Sequence, residues 1–260
     1  MTTTTLQFTD IHLLADPADE LRGVRTHDTF ARVLQSAREW AQENAPAEDG
    51  EPILLTGDLA HDGRTETYER LRDLLGDWLS RCHLIPGNHD NRDAIRAAFP
   101  DIVADGEDFI SFTVDAAGWR LVGLDSLVEG ETYGKIARQQ LDWLERELAQ
   151  HPDRPTMLFL HHPPFPVQSA WLDRIALRNP DQLLEVVKSH TQVRVISAGH
   201  VHQEFSNMVG GLQMLTSPST GVQFLPQSDE LIIHPAPPGF RVFQLTPTDY
   251  ETLVIRPPAH

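Results

Sequence analysis

His83-Leu84-Ile85-Pro86, followed by Gly87-Asn88-His89-Asp90, is the stretch of this sequence that decides the fold. Residues 83–86 predict a short apolar strand, and residues 87–90 form a polar cluster directly after it. The same arrangement, an apolar strand ending in Asp, Asn, His or Gly, occurs five times along the chain. The other four clusters are Thr9-Asp10-Ile11-His12, Gly57-Asp58, His161-His162-Pro163-Pro164 and Gly199-His200-Val201-His202.

Helical segments lie between these strands, which is typical of an α/β protein. One predicted helix runs from about Thr26 to Glu43, and others surround Tyr68–Trp78, Leu141–Leu148 and Leu183–Val187. Ligands of α/β sheets bind outside the carboxyl ends of the strands. We therefore expect the five clusters to converge on one site. No domain boundary is visible, so we expect one domain over residues 1–260.

Composition and charge exclude several classes of function. The formal net charge is −17, from 21 Lys and Arg against 38 Asp and Glu, which argues against binding of long nucleic acids. We expect no membrane span, because no apolar run approaches the required length. The single cysteine, Cys82, excludes a disulfide framework within the chain. With no visible signal peptide, we expect a cytoplasmic protein.

The side chains of the clusters suit a pair of metal ions. Asp10 and His12 lie two residues apart and point the same way if the segment is extended, and His200 and His202 repeat that spacing. Mixed oxygen and imidazole ligands favour iron or manganese and also admit zinc or cobalt, whereas calcium prefers oxygen alone. A structural site is the alternative, but structural zinc favours cysteine-rich sites.

Together these motifs resemble the calcineurin-like metallophosphoesterase superfamily, with all five present in order from Asp10 to His202. The segments Asp16–Thr26, Ser217–Thr220 and Pro238–Arg241 are further similar to class III cyclic-nucleotide phosphodiesterases, in particular the bacterial 3′,5′-cyclic AMP enzymes. This resemblance implies an α/β sandwich of two mixed sheets flanked by helices, in αββα order.

The resemblance also implies a division of metal ligands. One ion takes Asp10, His12, His202 and a bridging Asp58, and the other takes Asp58, Asn88, His161 and His200. The pair at 161 and 162 leaves an alternative open, in which His162 exchanges roles with His161. Otherwise His162 is a supporting or substrate-facing group.

The implied reaction is hydrolysis of a phosphodiester, with 3′,5′-cyclic AMP as the leading substrate and AMP as the product. Paired ions roughly 3.5–4 Å apart hold a bridging hydroxide that attacks phosphorus, with Asp58 as the shared ligand. By the same resemblance, His89 is the leaving-group acid or a phosphate contact, and Asn88 also faces the substrate. Asp90, which follows His89 in the sequence, is expected to hold the His89 ring in one tautomer.

Alternatives to this function are a diesterase for 2′,3′-cyclic nucleotides or glycerophosphodiesters, a phosphomonoesterase, and a metal-bound regulatory protein without turnover. Four other residues remain open. His61 either lines the cleft or has no role, and Asp125 either orients a metal ligand or caps a strand. Phe165 and Trp171 either stack on a purine base or pack the loop, and packing is favoured.

Overall fold

Two large mixed β-sheets form the centre of the computed structural model, which describes residues 2–44, 51–103 and 108–258. The strands of the described residues are β1 Thr3–Phe8, β2 Ile53–Thr56, β3 Cys82–Ile85, β4 Phe112–Ala116, β5 Trp119–Leu124, β6 Thr156–Leu160, β7 Val193–Ala198, β8 Phe205–Val209, β9 Leu212–Thr216, β10 Gln223–Phe224, β11 Ile233–His234, β12 Phe240–Leu245 and β13 Tyr250–Ile255. The α-helices are α1 Thr26–Asn44, α2 Thr65–Leu75, α3 Arg92–Ala98, α4 Arg138–Gln150, α5 Ala170–Asp173 and α6 Pro180–Ser189.

The first sheet has the order β13-β12-β1-β2-β3, and its three strands β1, β2 and β3 are parallel. The second sheet has the order β4-β5-β6-β7-β9-β8, in which β5, β6, β7 and β9 are parallel. Antiparallel strands lie at one edge of the first sheet, β12 and β13, and at both edges of the second, β4 and β8. The parallel strands bring their carboxyl ends, and the loops that follow, to one side of the molecule.

Apolar side chains fill three layers of this sandwich. Helices α1, α2 and α3 pack on the first sheet, where Phe8 and Phe30 meet edge to face with centroids 6.2 Å apart. The two sheets pack on each other, and Phe159 meets Phe243 at 5.7 Å between them. Helices α4 and α6 cover the second sheet. The layers therefore follow the order αββα, which confirms the predicted fold class.

Most predicted elements are confirmed, including the helix from Thr26, which ends at Asn44. Trp78 lies in a 3₁₀ turn, Gly76–Arg81, after α2. The sequence reading missed α3, although Asn91 caps it by accepting a hydrogen bond from the amide of Ala94 at 3.0 Å. Among the described residues, no helix combines the length and apolar character needed to cross a bilayer.

Candidate metal centre

The loops after β1, β2, β3, β6 and β7 meet at one place and carry the predicted ligands. Five of these residues have left-handed backbone conformations, which are uncommon outside glycine: Asp10 (φ 53°), His12 (φ 48°), Asp58 (φ 51°), His200 (φ 70°) and His202 (φ 49°). The expectation of extended Asp10–His12 and His200–His202 segments is therefore wrong. Tight turns present both side chains of each pair to the site.

Hydrogen bonds between loops hold these turns. The amide of Asp10 donates to the carbonyl of Gly57 at 3.0 Å, and the amide of His12 donates to the carbonyl of Asp58 at 2.8 Å. The amide of His200 donates to both carboxylate oxygens of Asp10, at 3.1 and 3.0 Å. The strained backbone is thus fixed by contacts from neighbouring strand ends.

The first group of ligand atoms surrounds a small space. His202 Nε2 lies 3.2 Å from both His12 Nε2 and Asp10 Oδ1, and His12 Nε2 lies 3.3 Å from Asp58 Oδ2. Ligand atoms roughly 2.1 Å from a common ion lie roughly 3.0–3.4 Å apart. These separations match that spacing.

The second group shares Asp58. His161 Nε2 lies 3.3 Å from Asp58 Oδ2 and 3.9 Å from Asp10 Oδ1. Among the described residues, three buried atoms of this group have no hydrogen-bond partner: Asn88 Oδ1, His161 Nε2 and His200 Nε2. Buried polar atoms without partners are costly, and a bound cation satisfies all three.

Backbone carbonyls select the ring nitrogens that face the site. Because a carbonyl only accepts, His202 Nδ1 donates to the Val222 carbonyl at 2.7 Å, and His161 Nδ1 donates to the Thr56 carbonyl at 3.0 Å. The Nε2 atom of each ring then faces a carboxylate oxygen of Asp10 or Asp58. This arrangement is that of imidazole ligands oriented by outer hydrogen bonds, so the residues fit a metal pair.

The electrostatics of the metal-free site also favour cations. Burial raises the pKa of the Asp58 carboxyl, but the neighbouring His161 and His12 rings outweigh it and hold the pKa well below its usual value. Burial lowers the pKa of His161, yet the Asp58 and Asp10 carboxylates raise it to about 9. Burial lowers the pKa of His200 to about 3, leaving a neutral ring.

Asp90 forms hydrogen bonds with the loops that carry Asp58 and Asn88, and it forms none with the His89 ring. Its buried carboxylate accepts hydrogen bonds from the amides of Leu59, Ala60 and Gly87 at 2.8–3.1 Å and from the Tyr68 hydroxyl at 2.9 Å. These amides flank the ligands Asp58 and Asn88 in sequence. The predicted tautomer role is wrong because the carboxylate turns towards these backbone donors.

His61 takes the place expected for Asp90 beside His89. The two rings stack with centroids 4.5 Å apart, and His89 Nδ1 donates to the His61 carbonyl at 3.3 Å. The amide of His89 also donates to Asp58 Oδ1 at 2.9 Å. Both histidines line the cleft. The Nε2 atom of His89 is therefore left for a substrate.

His162 lies next to the ligand candidates His161 and His200, in the interior of the protein. It is fully buried, and its Nδ1 lies 2.8 Å from the Ser126 hydroxyl. Its Nε2 has no partner in the described part of the chain and belongs to a group with His161 and His200 whose ligand atoms lie within 4.8 Å. His162 is not among the residues that line the cleft, and its substrate-facing role stays a prediction.

Two glycines allow the loops to approach closely. A Cβ at Gly87 would lie 2.3 Å from Asp58 Oδ1 and 2.8 Å from His161 Nε2. A Cβ at Gly199 would lie 2.0 Å from the Thr9 hydroxyl and 2.9 Å from Asp10 Oδ2. Side chains at these positions would displace the ligands.

A cleft of about 340 Å³ opens beside the ligand residues and is lined by His12, Asp58, Asn88, His89, His200 and His202 on its polar side. A larger cavity of about 720 Å³, between α1 and the Pro235–Pro238 segment, contains none of the predicted ligands. The smaller cleft is therefore the candidate active site.

The contacts of Phe165, Trp171 and Asp125 decide between the alternative roles given to each. Phe165 is 8% exposed and stacks on Phe205 at 5.9 Å, so it packs the loop. Trp171 packs at the edge of the same core and also lines the cleft. Asp125 forms a bidentate salt bridge with Arg92 at 2.7 and 2.8 Å, a structural role. Sequence patterns gave no signal for the carbonyls that orient the ligand rings.

The sequence profile of the calcineurin-like phosphoesterases matches residues 3–204 of the chain. The chain therefore belongs to this family, in agreement with the fold and with the ligand residues at the strand ends.

Curated relatives and solved structures are consistent with this family assignment. The chain is 37% identical to the 3′,5′-cyclic-nucleotide phosphodiesterase alr5338 of Nostoc sp., covering 92% of this chain and 86% of the relative. It is 35% identical to the 3′,5′-cyclic adenosine monophosphate phosphodiesterase CpdA of Escherichia coli K12, covering 92% and 84%. A dimetal phosphatase from Danio rerio has a similar fold, with a TM-score of 0.65 and 17% identity over 96% of this chain and 98% of that one.

Proposed function

We propose that this chain is a metal-dependent phosphodiesterase that hydrolyses 3′,5′-cyclic AMP to AMP. The observation that carries the chemistry is the pair of ligand groups sharing Asp58, with three unpaired buried ligand atoms beside an open cleft. The names of the bacterial relatives at 33–37% identity support the substrate.

The ligand geometry supports a specific assignment. Asp10, His12 and His202 would hold one ion, Asn88, His161 and His200 the other, and Asp58 both. His161 is preferred to His162 because its Nε2 contacts the shared Asp58 carboxylate. Iron or manganese, or else zinc or cobalt, suits such donors. When bound, the ions supply a nucleophile at neutral pH and stabilise charge on the phosphoryl group.

The protein's own residues position the substrate and move a proton. Asn88 and His89 line the cleft next to the ligand groups, where they can contact a phosphate. Because His89 Nδ1 donates to the His61 carbonyl, a protonated His89 ring can give its Nε2 proton to the leaving oxygen. Asp90 keeps the loops carrying Asp58 and Asn88 in register.

The acidic chain does not prevent binding of a small anionic diester. Within the cleft, bound cations reverse the local sign of the field, while the net charge of −17 still repels long nucleic acids. A cytoplasmic location stays a prediction from the sequence.

A substrate comparison tests the proposal. The value of kcat/KM would be measured for 3′,5′-cyclic AMP, 2′,3′-cyclic AMP, bis(p-nitrophenyl) phosphate and p-nitrophenyl phosphate, on Mn-reconstituted enzyme with Asp58→Asn as the blank. Preference for 3′,5′-cyclic AMP, lost in the blank, supports the proposal. Negligible 3′,5′ turnover with a preference for the 2′,3′ cycle or for the monoester would replace the substrate.

The His89→Ala variant tests the acid role. General acid catalysis contributes about 10²–10⁴-fold, so we expect a loss of that order on 3′,5′-cyclic AMP and a smaller loss on bis(p-nitrophenyl) phosphate, whose leaving group needs no proton. Bound manganese, measured by elemental analysis, should equal that of the wild type. Parallel loss of metal would instead make His89 a ligand.

A further inference from the structure

Part of the cleft lining, next to the ligand groups, is apolar. It is formed by Trp171, Leu172, Ile175, Phe224 and Leu231. A phosphate held by the metal-ligand residues has no use for such a wall. The wall therefore indicates that the substrate carries an apolar or flat group next to its phosphate.

Aromatic rings connect this wall to the ligand residues. Phe224 stacks on the His202 ring with centroids 4.2 Å apart and planes 18° apart. Trp171 meets Phe224 at 5.1 Å and 70°. A continuous ring surface thus leads from a predicted metal ligand into the cleft.

Leu231 adds exposed apolar surface where the hairpin of β10 and β11 borders the cleft. It is 37% exposed, and the next two residues, Ile232 and Ile233, are 47% and 40% exposed. Of these three, Leu231 is the one that lines the cleft beside Trp171 and Phe224. Its exposed surface, unlike that of its neighbours, can be covered by a bound substrate.

We propose that Trp171, Phe224 and Leu231 form the subsite for the nucleobase and give the enzyme its preference for nucleotides over diesters that lack a flat ring. The inference rests on the proposed function, which puts the phosphate at the ligand residues. Every nucleobase has a π-face, so stacking on such a wall favours bases as a class without choosing among them.

Packing alone is the competing explanation for Trp171, which touches the core beneath α4 and α6. Trp143 provides a matched control. It also packs at the edge of that core and has an aromatic neighbour, Phe109 at 6.2 Å, but it does not line the cleft. Trp143→Leu should therefore reproduce the packing loss of Trp171→Leu without touching the substrate.

The test compares 3′,5′-cyclic AMP with methyl riboside 3′,5′-cyclic phosphate, which keeps the reacting ring and lacks the base. Base stacking is worth about 1–3 kcal/mol, so the ratio of the two kcat/KM values should be about 5- to 150-fold in the Mn-reconstituted wild type. Trp171→Leu and Leu231→Ser should lower this ratio several-fold, mainly through KM for the nucleotide, while Trp143→Leu keeps it. Calorimetric binding of AMP against ribose 5-phosphate gives a readout independent of turnover and should change in parallel.

The outcomes separate the two proposals. Turnover of both compounds at equal kcat/KM, or equal ratios in Trp171→Leu and Trp143→Leu, would overturn the base subsite and leave the phosphodiesterase intact. A wild type that hydrolyses neither compound would overturn the proposed function and the subsite with it. A ratio that falls in Trp171→Leu and Leu231→Ser but not in the control supports the subsite.

Discussion

Acidification should unfold the metal-free protein, because three of its histidines are buried as neutral rings. Burial lowers the pKa of His200 to about 3 and brings those of His12 and His162 well below their usual value. An unfolded chain titrates histidine near pH ~6.5. Between pH ~4 and ~6 the unfolded chain therefore binds protons on these three rings that the folded chain does not, and stability decreases as the pH is lowered.

Two buried carboxyl groups with raised pKa values partly offset this loss of stability on acidification. Burial beside Asp58 raises the pKa of Asp90 to about 6, so the folded chain keeps one extra proton there. Asp125, whose pKa burial also raises, adds to the opposition at the acid end. The buried histidines outnumber these two carboxyls, so the free energy of unfolding falls on acidification, by about 1.4 kcal/mol per pH unit for each proton of net difference.

His161 makes the stability of the metal-free protein decrease at alkaline pH. Burial would lower its pKa, but the Asp58 carboxylate raises it to about 9. Its stabilising contribution is complete below pH ~6.5 and is lost as the pH rises through about 9. We therefore expect the metal-free protein to be most stable near neutral pH.

Urea unfolding of EDTA-treated protein, followed by circular dichroism from pH ~4.5 to ~9.5, measures this profile. His200→Gln removes one buried ring and should reduce the acid slope by about 1.4 kcal/mol per pH unit. His27→Gln, at a partly exposed ring on α1, should leave the slope as it is. A flat profile below pH ~6, or equal slopes in His200→Gln and the wild type, would refute the reasoning.

Two further substitutions probe how the loops hold metal. Asp90→Ala leaves backbone amides beside Asp58 without acceptors and should weaken manganese affinity about 10–100-fold by competition titration, whereas Tyr68→Phe, which removes one donor to Asp90, should weaken it far less. Gly87→Ala places a methyl group 2.3 Å from Asp58 Oδ1 and should abolish stoichiometric metal in elemental analysis. Gly130→Ala strains the backbone at a φ of 77° but adds a methyl group that meets nothing within 4 Å, and it should retain the metal. Equal metal content in the two alanine variants would show that the loop around Gly87 shifts to accommodate a side chain, and would contradict this prediction.

The αββα order followed from the resemblance of the motifs to a known family, whereas the meeting of the ligand candidates followed from apolar periodicity and polar strand ends, which are local signals. Each ligand candidate stands directly after a strand, so strand position sufficed to bring Asp10 and His200 together across the fold. The predicted single domain over residues 1–260 stays a prediction. Helix α3 was missed because its seven residues carry a short apolar pattern.

The directions in which the side chains of the ligand loops point were harder to predict from the sequence than the positions of the residues in the fold. Asp90 was assigned to His89 because the two are neighbours in sequence, yet the left-handed turn at Asp58 presents the amides of Leu59 and Ala60 to that carboxylate. Adjacent residues in a tight turn point in different directions, so contact follows the backbone angles and not the order of residues.

The same turns explain how this fold holds the ligand residues in place. A left-handed residue other than glycine costs about 1–3 kcal/mol, and the ligand loops contain five. Hydrogen bonds between neighbouring loops, such as those from the His12 amide to the Asp58 carbonyl and from the His200 amide to Asp10, offset that strain. Because these bonds join backbone and ligand groups already in place, we expect the ligand geometry to persist when metal is removed. The metal then stabilises mainly the side chains with unpaired atoms, Asn88, His161 and His200.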